Sequence, residues 1–443
     1  MITQSVAQYI GKHHLLDKQG IHLVALSGGA DSVALLLVLR DLGYDLHATH
    51  CNFHLRGNES DRDEQFCVQI CEKLGVPLHR AHFDTHAYAE AHHVSIEMAA
   101  RELRYQYFRQ LKDDIKAKDI CVAHHRDDQA ETVLMNLMRG AGVQGLTGMA
   151  PLNDDIVRPL LCVSRQEIEA YLEEKGQDYV TDSTNLVADV NRNKIRLQVI
   201  PQMEKINPAT KEHIARTAEY MTDVRDFAEE QAEKLLQQMK ADRGRIELKP
   251  LLSVKGYKYL IFLFLSRRGF NSFQVAEILS SLNSQGKLWT SSSHECTIDR
   301  GGLLCQRRKD SVGPLIIPEP GNYRFNDSLR YTFRLTERTT DMQPSKNAYH
   351  ATIDAEKAKF PLTLRLTENG DRFTPYGMEG SKLVSDYLTD RKRTLFQKRD
   401  QLVLADATGR ILWLVGERIA QGCAISESTR QVLHIEKEER TSP

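Results

Sequence analysis

Ser27-Gly28-Gly29-Ala30-Asp31-Ser32 is the segment of this chain best suited to grip an anion. It follows a short apolar run, Ile21–Leu26, and opens an apolar, helix-like stretch, Val33–Leu42. Backbone N–H groups at a helix N-terminus have no intrahelical partner, and the helix dipole favours negative charge there. Glycines let a phosphate come close to the backbone. Ser27 and Ser32 add hydroxyl donors. The segment lacks the Lys-Ser/Thr ending and the glycine spacing of the mononucleotide P-loop. It carries Asp31 instead, which repels a phosphate unless a cation lies between them, so Mg2+ is implied. The alternative is a plain strand–helix turn with a serine cap.

A second constellation is His124-His125-Arg126-Asp127-Asp128-Gln129-Ala130-Glu131. On a helix start, Asp127 or Asp128 shares a face with Glu131. Carboxylates there suit Mg2+ held together with substrate phosphates, or they simply match the helix dipole. His124 and His125 end a strand where a ligand would sit. Glu97, Arg101, Arg104 and Tyr105 form one helical stripe. Arg101 on it either offsets developing phosphate charge or pairs with Glu97. Arg139, Gly140, Gly142 and Gly145 make a glycine-rich loop. Arg192, Lys194 and Arg196 are a basic cluster suited to phosphates. The densest basic stretch is Arg391-Lys392-Arg393 with Lys398-Arg399, and Phe396 lies between them, a pattern that fits RNA contact.

These residues need a frame. In the first half, strand-like Ile21–Leu26, Leu46–His50, Leu78–Phe83 and Ile120–His124 alternate with helix-like Val33–Leu42, Ser60–Leu74 and Tyr88–Leu111. That alternation predicts an α/β fold with a parallel, Rossmann-like sheet. Ile214, Ala218, Met221, Val224, Ala228, Leu235 and Met239 then predict one amphipathic helix. Helices over Leu251–Arg267 and Ser272–Leu282 follow, with short strands at Lys287–Ser291 and Leu303–Arg307. Beyond them lie a poorly periodic segment and strands at Arg330–Leu335, Leu362–Leu366, Gln401–Ala405 and Ile411–Val415. The expected division is a catalytic domain over 1–205, a small, mostly helical domain over 206–312, and a linker with a small α+β C-terminal domain over 313–443.

Ser-Gly-Gly-x-Asp-Ser resembles the pyrophosphate loop of the N-type ATP pyrophosphatases, which split ATP into AMP and pyrophosphate. Further segments narrow the resemblance: Thr49-His50-Cys51-Asn52-Phe53-His54-Leu55-Arg56-Gly57, Glu97-Met98-Ala99-Ala100-Arg101, the His124–Thr132 segment, Arg139–Leu146, Arg158-Pro159-Leu160-Leu161, Asp182-Ser183-Thr184-Asn185 and Asn191–Arg196. In this order they resemble the tRNA(Ile)-lysidine synthetase family. Asn369-Gly370-Asp371-Arg372-Phe373, with Lys382-Leu383 and Trp413–Ile419, resembles that family's last domain. One departure is Phe53, where the family often has His, so His54 carries no assigned role.

The resemblance implies ATP on Ser27, Gly28, Gly29, Ala30, Asp31 and Ser32, with His50 and His124. It implies Mg2+ on Asp31, Asp128 and Glu131, and catalytic roles for Asp31, Arg101, Asp128, Arg192 and Arg196. Arg139, Arg372, Lys382, Arg391, Lys392 and Arg393 would contact tRNA. The partners implied are a tRNA(Ile) with a CAU anticodon and free L-lysine, and a homodimer is compatible. The product would be lysidine at cytidine 34, made through an adenylated cytidine.

Bulk composition fits this reading. The chain has 443 residues, with 59 basic against 60 acidic, so any RNA contact comes from local patches. No apolar run is long enough to span a bilayer, and a cytoplasmic location without membrane contact is expected. The eight cysteines show no Cys-x-x-Cys pair and read as reduced thiols. The missing pair also argues against a related tRNA thiolase. A tRNA-binding module with a relic nucleotide site is disfavoured by the intact Asp31, Asp128 and Glu131.

Overall fold

A computed structural model of the chain describes residues 2–181, 191–241, 244–309, 312–339, 342–345 and 347–439. The chain divides into two compact units, residues 1–230 and 231–443.

The first unit runs α1 (Ile2–His13), β1 (Ile21–Ala25), α2 (Ala30–Asp41), β2 (Asp45–Asn52), α3 (Asn58–Leu74), β3 (Leu78–His82), α4 (Thr85–His92), α5 (Ile96–Asp114), β4 (Asp119–Cys121), α6 (Arg126–Met138), α7 (Gly142–Leu146), β5 (Leu152–Asn153), β6 (Ile156–Val157), α8 (Arg165–Lys175), α9 (Asn191–Lys194), α10 (Ile200–Ile206) and most of α11 (Thr210–Gln238), whose last turns belong to the second unit. Its sheet has the order β3-β2-β1-β4-β6-β5. All neighbours are parallel except the edge pair β5–β6. The chain winds outward from β1 to β3, then returns to the other side of β1 at β4. Ligands bind at such a reversal, beyond the carboxyl ends of the strands.

Helix α2 is apolar almost all round because it is enclosed. Val33, Ala34, Leu35, Leu36, Val38 and Leu39 are fully buried in one cluster with residues of α1, α3, α8 and the sheet. Each large side chain there contributes roughly 1.5–3 kcal/mol by leaving water. This packing fixes the helix whose first turn forms the anion loop.

The expected helix over Tyr88–Leu111 is two helices. His93 takes a left-handed conformation, φ +55°, after α4, and the Ser95 hydroxyl then accepts the Met98 N–H to start α5. No glycine or proline marks that break.

The second unit contains β7 (Arg245–Glu247), α12 (Leu248–Leu252), α13 (Tyr257–Ser266), α14 (Ser272–Ser280), β8 (Leu288–Thr290), β9 (His294–Asp299) and β10 (Gly302–Arg307). Here the strands form an antiparallel sheet, β7-β10-β9-β8, so this segment carries more strand than the two expected pieces. The helix expected over Leu251–Arg267 is interrupted at Gly256, φ +83°.

The remainder comprises β11 (Leu315–Ile317), β12 (Asn322–Arg324), β13 (Leu329–Glu337), β14 (His350–Asp354), β15 (Leu362–Leu366), β16 (Arg372–Phe373), β17 (Lys382–Leu383), α15 (Val384–Asp390), α16 (Leu395–Arg399), β18 (Leu402–Ala405), β19 (Ile411–Leu414), β20 (Arg418–Ile419) and β21 (Gln431–Glu439). Two further sheets, β11-β15-β18-β19-β20 and β12-β13-β21-β14, share one core around Trp413, Phe333 and Tyr331.

The reduced state expected for all cysteines is corrected at one pair. Cys296 on β9 and Cys305 on β10 face each other in register and form a disulfide. Cys51, Cys67, Cys71, Cys121, Cys162 and Cys423 are free. Among the described residues no helix is long and apolar enough to cross a membrane.

Candidate active site

The loop sits where β1 hands over to α2. Gly29 begins α2 without a side-chain cap, so first-turn N–H groups stay open to an anion. Inside the loop, the Ser32 hydroxyl accepts the Ser27 N–H at 3.1 Å and donates to the Gly29 carbonyl at 2.9 Å. Gly28 cannot be replaced freely. Its φ is +88°, and a Cβ there would lie 2.8 Å from Val180 Cγ2 and 3.3 Å from Cys67 Sγ.

His50, expected to face ATP, is buried beneath the loop. Burial holds its pKa down, and its Nδ1 bonds the Leu26 carbonyl at 2.9 Å. It therefore supports the loop from below. His54 takes φ +51°, donates its N–H to Asn52 Oδ1, and lies 3.1 Å from His82. Asn52 is fixed in turn by Glu64, which accepts its amide at 2.9 Å and the Arg80 guanidinium at 3.0 Å.

The acidic helix α6 points its first turn at the same place. His125 caps it: Nδ1 accepts the Asp127 N–H at 3.2 Å, while Asp128 Oδ2 accepts the His125 N–H at 3.1 Å. With Nδ1 accepting, Nε2 carries the proton. That nitrogen lies 3.6 Å from Asp31 Oδ1 and 3.5 Å from Asp128 Oδ2, between the two carboxylates. Burial raises the Asp31 pKa against the pull of His125 and Arg165. Burial also pushes Asp128 up, but His125 and Arg192 outweigh it and hold this carboxyl below its usual range. His124 is pushed down to about 4 by burial, so it is neutral at pH 7, and its Nδ1 is buried without a hydrogen-bond partner.

Arg192 and Arg196 close the site from the segment 191–199, where α9 passes into a π-helical turn, Ile195–Val199. Such turns often accompany functional sites. Arg192 Nε donates to Glu131 Oε2 at 2.7 Å and its Nη2 to Asp128 Oδ1 at 2.8 Å. Arg196 Nε donates to Glu131 Oε1 at 2.6 Å. The three carboxylates expected to share a metal are therefore not brought to one point. Glu131 is 1% exposed and faces two guanidiniums. Among the described residues, no group of three or more His, Cys, Asp and Glu side chains is arranged for a metal ion. Asp31 and Asp128 remain. Asp31 Oδ1 is buried without a hydrogen-bond partner, and an ion on these two would complete its shell with phosphate oxygens, as Mg2+ commonly does.

Arg101 is exposed on α5 with its guanidinium over the Tyr105 ring, 5.2 Å from the centroid. Arg139 is exposed after α6, beside exposed Leu137 and Met138. The Asp182–Asn185 motif lies outside the described residues. In the second unit, Arg372 bonds the Ser381 hydroxyl and carbonyl, and Lys382 pairs with Asp390. Arg391 and Arg393 both pair with buried Glu417, and the Lys392 carbonyl accepts from Arg300. Sequence reasoning missed Arg165, whose Nη1 donates to Asp31 Oδ2 at 2.7 Å, and Lys211, 2.9 Å from Asp127. Glu64, with Asp63, stands in the family-like motif after Thr49–Gly57, but its role in fixing Asn52 was not assigned from sequence. The capping box Ser164…Glu167 was the only local signal near Arg165, and it marks a helix start rather than a direction.

A parallel sheet with an uncapped Ser-Gly-Gly-x-Asp-Ser loop at its reversal defines a nucleotide-splitting domain, and the PP-loop domain family matches residues 2–203. The TilS substrate binding domain family matches residues 237–308. The tRNA(Ile)-lysidine synthase of Bacteroides thetaiotaomicron is 44% identical over 436 residues, covering 98% of this chain and 99% of its own. That of Parabacteroides distasonis is 41% identical over 433 residues, covering 98% and 99%. Among solved structures, the U34-tRNA thiolase NcsA from Methanococcus maripaludis aligns with 19% identity and a TM-score of 0.43, covering 50% of this chain and 78% of its own. The chain belongs to the tRNA(Ile)-lysidine synthase family.

Proposed function

We propose that this protein ligates L-lysine to C2 of cytidine 34 in the CAU anticodon of tRNA(Ile), using ATP, in the cytoplasm. It is an ATP-dependent ligase of tRNA modification. The observation that carries the reading is the meeting of the open α2 N-terminus with Asp31, His125 and Asp128 at the sheet's reversal.

The C2 oxygen of cytosine is a poor leaving group. Attack by that oxygen on the α-phosphate of ATP forms a cytidine–AMP ester and expels pyrophosphate. The ε-amine of lysine, neutral when it reacts, then bonds to C2 as the C2–O bond breaks and AMP leaves. The first-turn N–H groups of α2 and the Ser27 hydroxyl would bind the β- and γ-phosphates, with the Ser32 hydroxyl turning from the Gly29 carbonyl to join them. Asp31 and Asp128 would hold Mg2+, which supplies charge neutralisation on the phosphates. Neutral His124 offers its buried Nδ1 to the nucleotide or the base. Arg192 and Arg196 lie close enough to Asp128 to offset charge on the adenylated intermediate. The cytosine must leave its stack to be reached. Arg139, Arg372, Lys382, Arg391, Lys392 and Arg393 would bind tRNA phosphates.

The test is incorporation of labelled lysine into unmodified tRNA(Ile) with a CAU anticodon, with and without ATP. ATP-dependent incorporation, abolished in Asp31→Ala, is expected. Pyrophosphate release stimulated by tRNA, with no lysine incorporated, would keep the adenylation and reject lysine as the nucleophile.

A further inference from the structure

The loop Ser27–Ser32 contains no basic residue, and its one charged side chain is an aspartate. Backbone N–H groups and a divalent ion offset part of the charge of a leaving pyrophosphate. Arg192 and Arg196 are committed to Asp128 and Glu131 on α6. Arg165, the first residue of α8, instead bonds the loop's own aspartate, Asp31.

Its geometry is prepared. Glu169, one turn further along α8, accepts Arg165 Nε at 2.7 Å and so fixes the direction of the guanidinium. The Ser164–Glu167 capping box, braced by Arg126 on Glu167 at 2.9 Å, anchors the start of that helix. Arg165 Nη1 then lands on Asp31 Oδ2 at 2.7 Å. This pairing does not satisfy Asp31, whose other oxygen is buried without a hydrogen-bond partner. Arg165 is about one-third exposed, and its partner Asp31 lies in the first turn of α2.

We propose that Arg165 is a pyrophosphate-binding residue of the adenylation step, held on Asp31 until the phosphates arrive and then bonded to their β- or γ-oxygens. The inference rests on the adenylation reading but not on lysine as the nucleophile. A guanidinium suits the role because its planar fork can bond two phosphate oxygens at once.

The test is binding of labelled inorganic pyrophosphate and of AMP to the full chain in Mg2+, by equilibrium dialysis. Arg165→Gln is expected to weaken pyrophosphate by about 10- to 100-fold, the worth of a hydrogen bond to a charged group. AMP affinity should move by less than about two-fold. Arg165→Lys should fall between, since it keeps the charge and loses the fork. The decisive comparison is made in an Asp31→Asn background. If Arg165 touches the phosphates, Arg165→Gln still weakens pyrophosphate there. If its effect disappears, Arg165 acts only through Asp31 and the proposal is overturned. Parallel loss of AMP and pyrophosphate binding, signifying a damaged site, or unchanged pyrophosphate affinity, also overturns it. Wild-type protein that binds pyrophosphate yet incorporates no lysine would fail the lysine reading and leave this test intact.

Discussion

Glu131 and Arg196 meet at 2.6 Å, joining a buried carboxylate on α6 to a segment that follows 65 residues later. Arg192 shares the same carboxylate, so Glu131 is the anchor that holds the π-helical turn against α6.

Glu131→Gln should therefore loosen residues 191–199. Breaking a buried ion pair costs about 3–5 kcal/mol. Both arginines are about one-third exposed, and screening reduces this to about 1–2 kcal/mol. Amide hydrogen exchange across 191–199 should accelerate by about ten-fold or more, with α2 unaffected. Unchanged protection would show that the turn is held by its own backbone.

His124 gives a pH signature with a definite sign. Its folded pKa of about 4 lies below the ordinary 6.5. Between those values the unfolded chain binds more protons, so stability rises with pH, and it is lost as pH falls from 6.5 towards 4. The full window is worth up to about 3 kcal/mol. Denaturation midpoints measured from pH 4 to 7 should climb more steeply in the wild type than in His124→Gln. Parallel curves would refute the burial.

Gly28→Ala should disable the loop without unfolding the chain. The left-handed backbone costs a side chain about 1–2 kcal/mol, and the added carbon overlaps Val180. We expect ATP-dependent adenylation to fall by about 100-fold or more, while the melting transition of residues 231–443 is unchanged.

Arg393→Ala should act on stability as well as on RNA. Arg393 Nε bonds Glu417 at 2.5 Å, and that carboxylate is 2% exposed. Loss of the arginine leaves a buried charge with the weaker Arg391 contact, at 3.3 Å, and costs about 1–3 kcal/mol. Glu417→Gln supplies the comparison. It relaxes the same network but keeps both cations, so tRNA affinity and its salt dependence should hold, whereas Arg393→Ala should lower the salt slope by about one.

What the sequence made legible was local. Ser27–Ser32 could be placed because it ends an apolar strand run and opens an apolar helix, and Asp128 and Glu131 because they begin another helix. Arg192 and Arg196 were visible as a basic cluster, but their partners on α6 were not. Arg165 was invisible for the same reason: Asp31 is 134 residues away, and nothing in Ser164–Glu169 says which way the guanidinium turns. Strand β9 escaped because a serine turn, Ser291–Ser293, separates it from β8, and with it went the pairing of Cys296 with Cys305. The break before α5 rests on a histidine in a glycine-like conformation, which composition does not betray.

The proposed nucleotide site draws on residues from Ser27 to Arg196, and that spread sets a timetable. A ribosome adds roughly 5–20 residues per second, so the anion loop exists in the nascent chain for on the order of ten seconds before its arginines are made. Late in that interval, once Glu131 is made and before Arg192 is, α6 has its acids but not the arginines that balance them. A chain cut short between residues 131 and 164 is left with a phosphate cradle and an unneutralised acidic wall, which repels the nucleotide the cradle would attract.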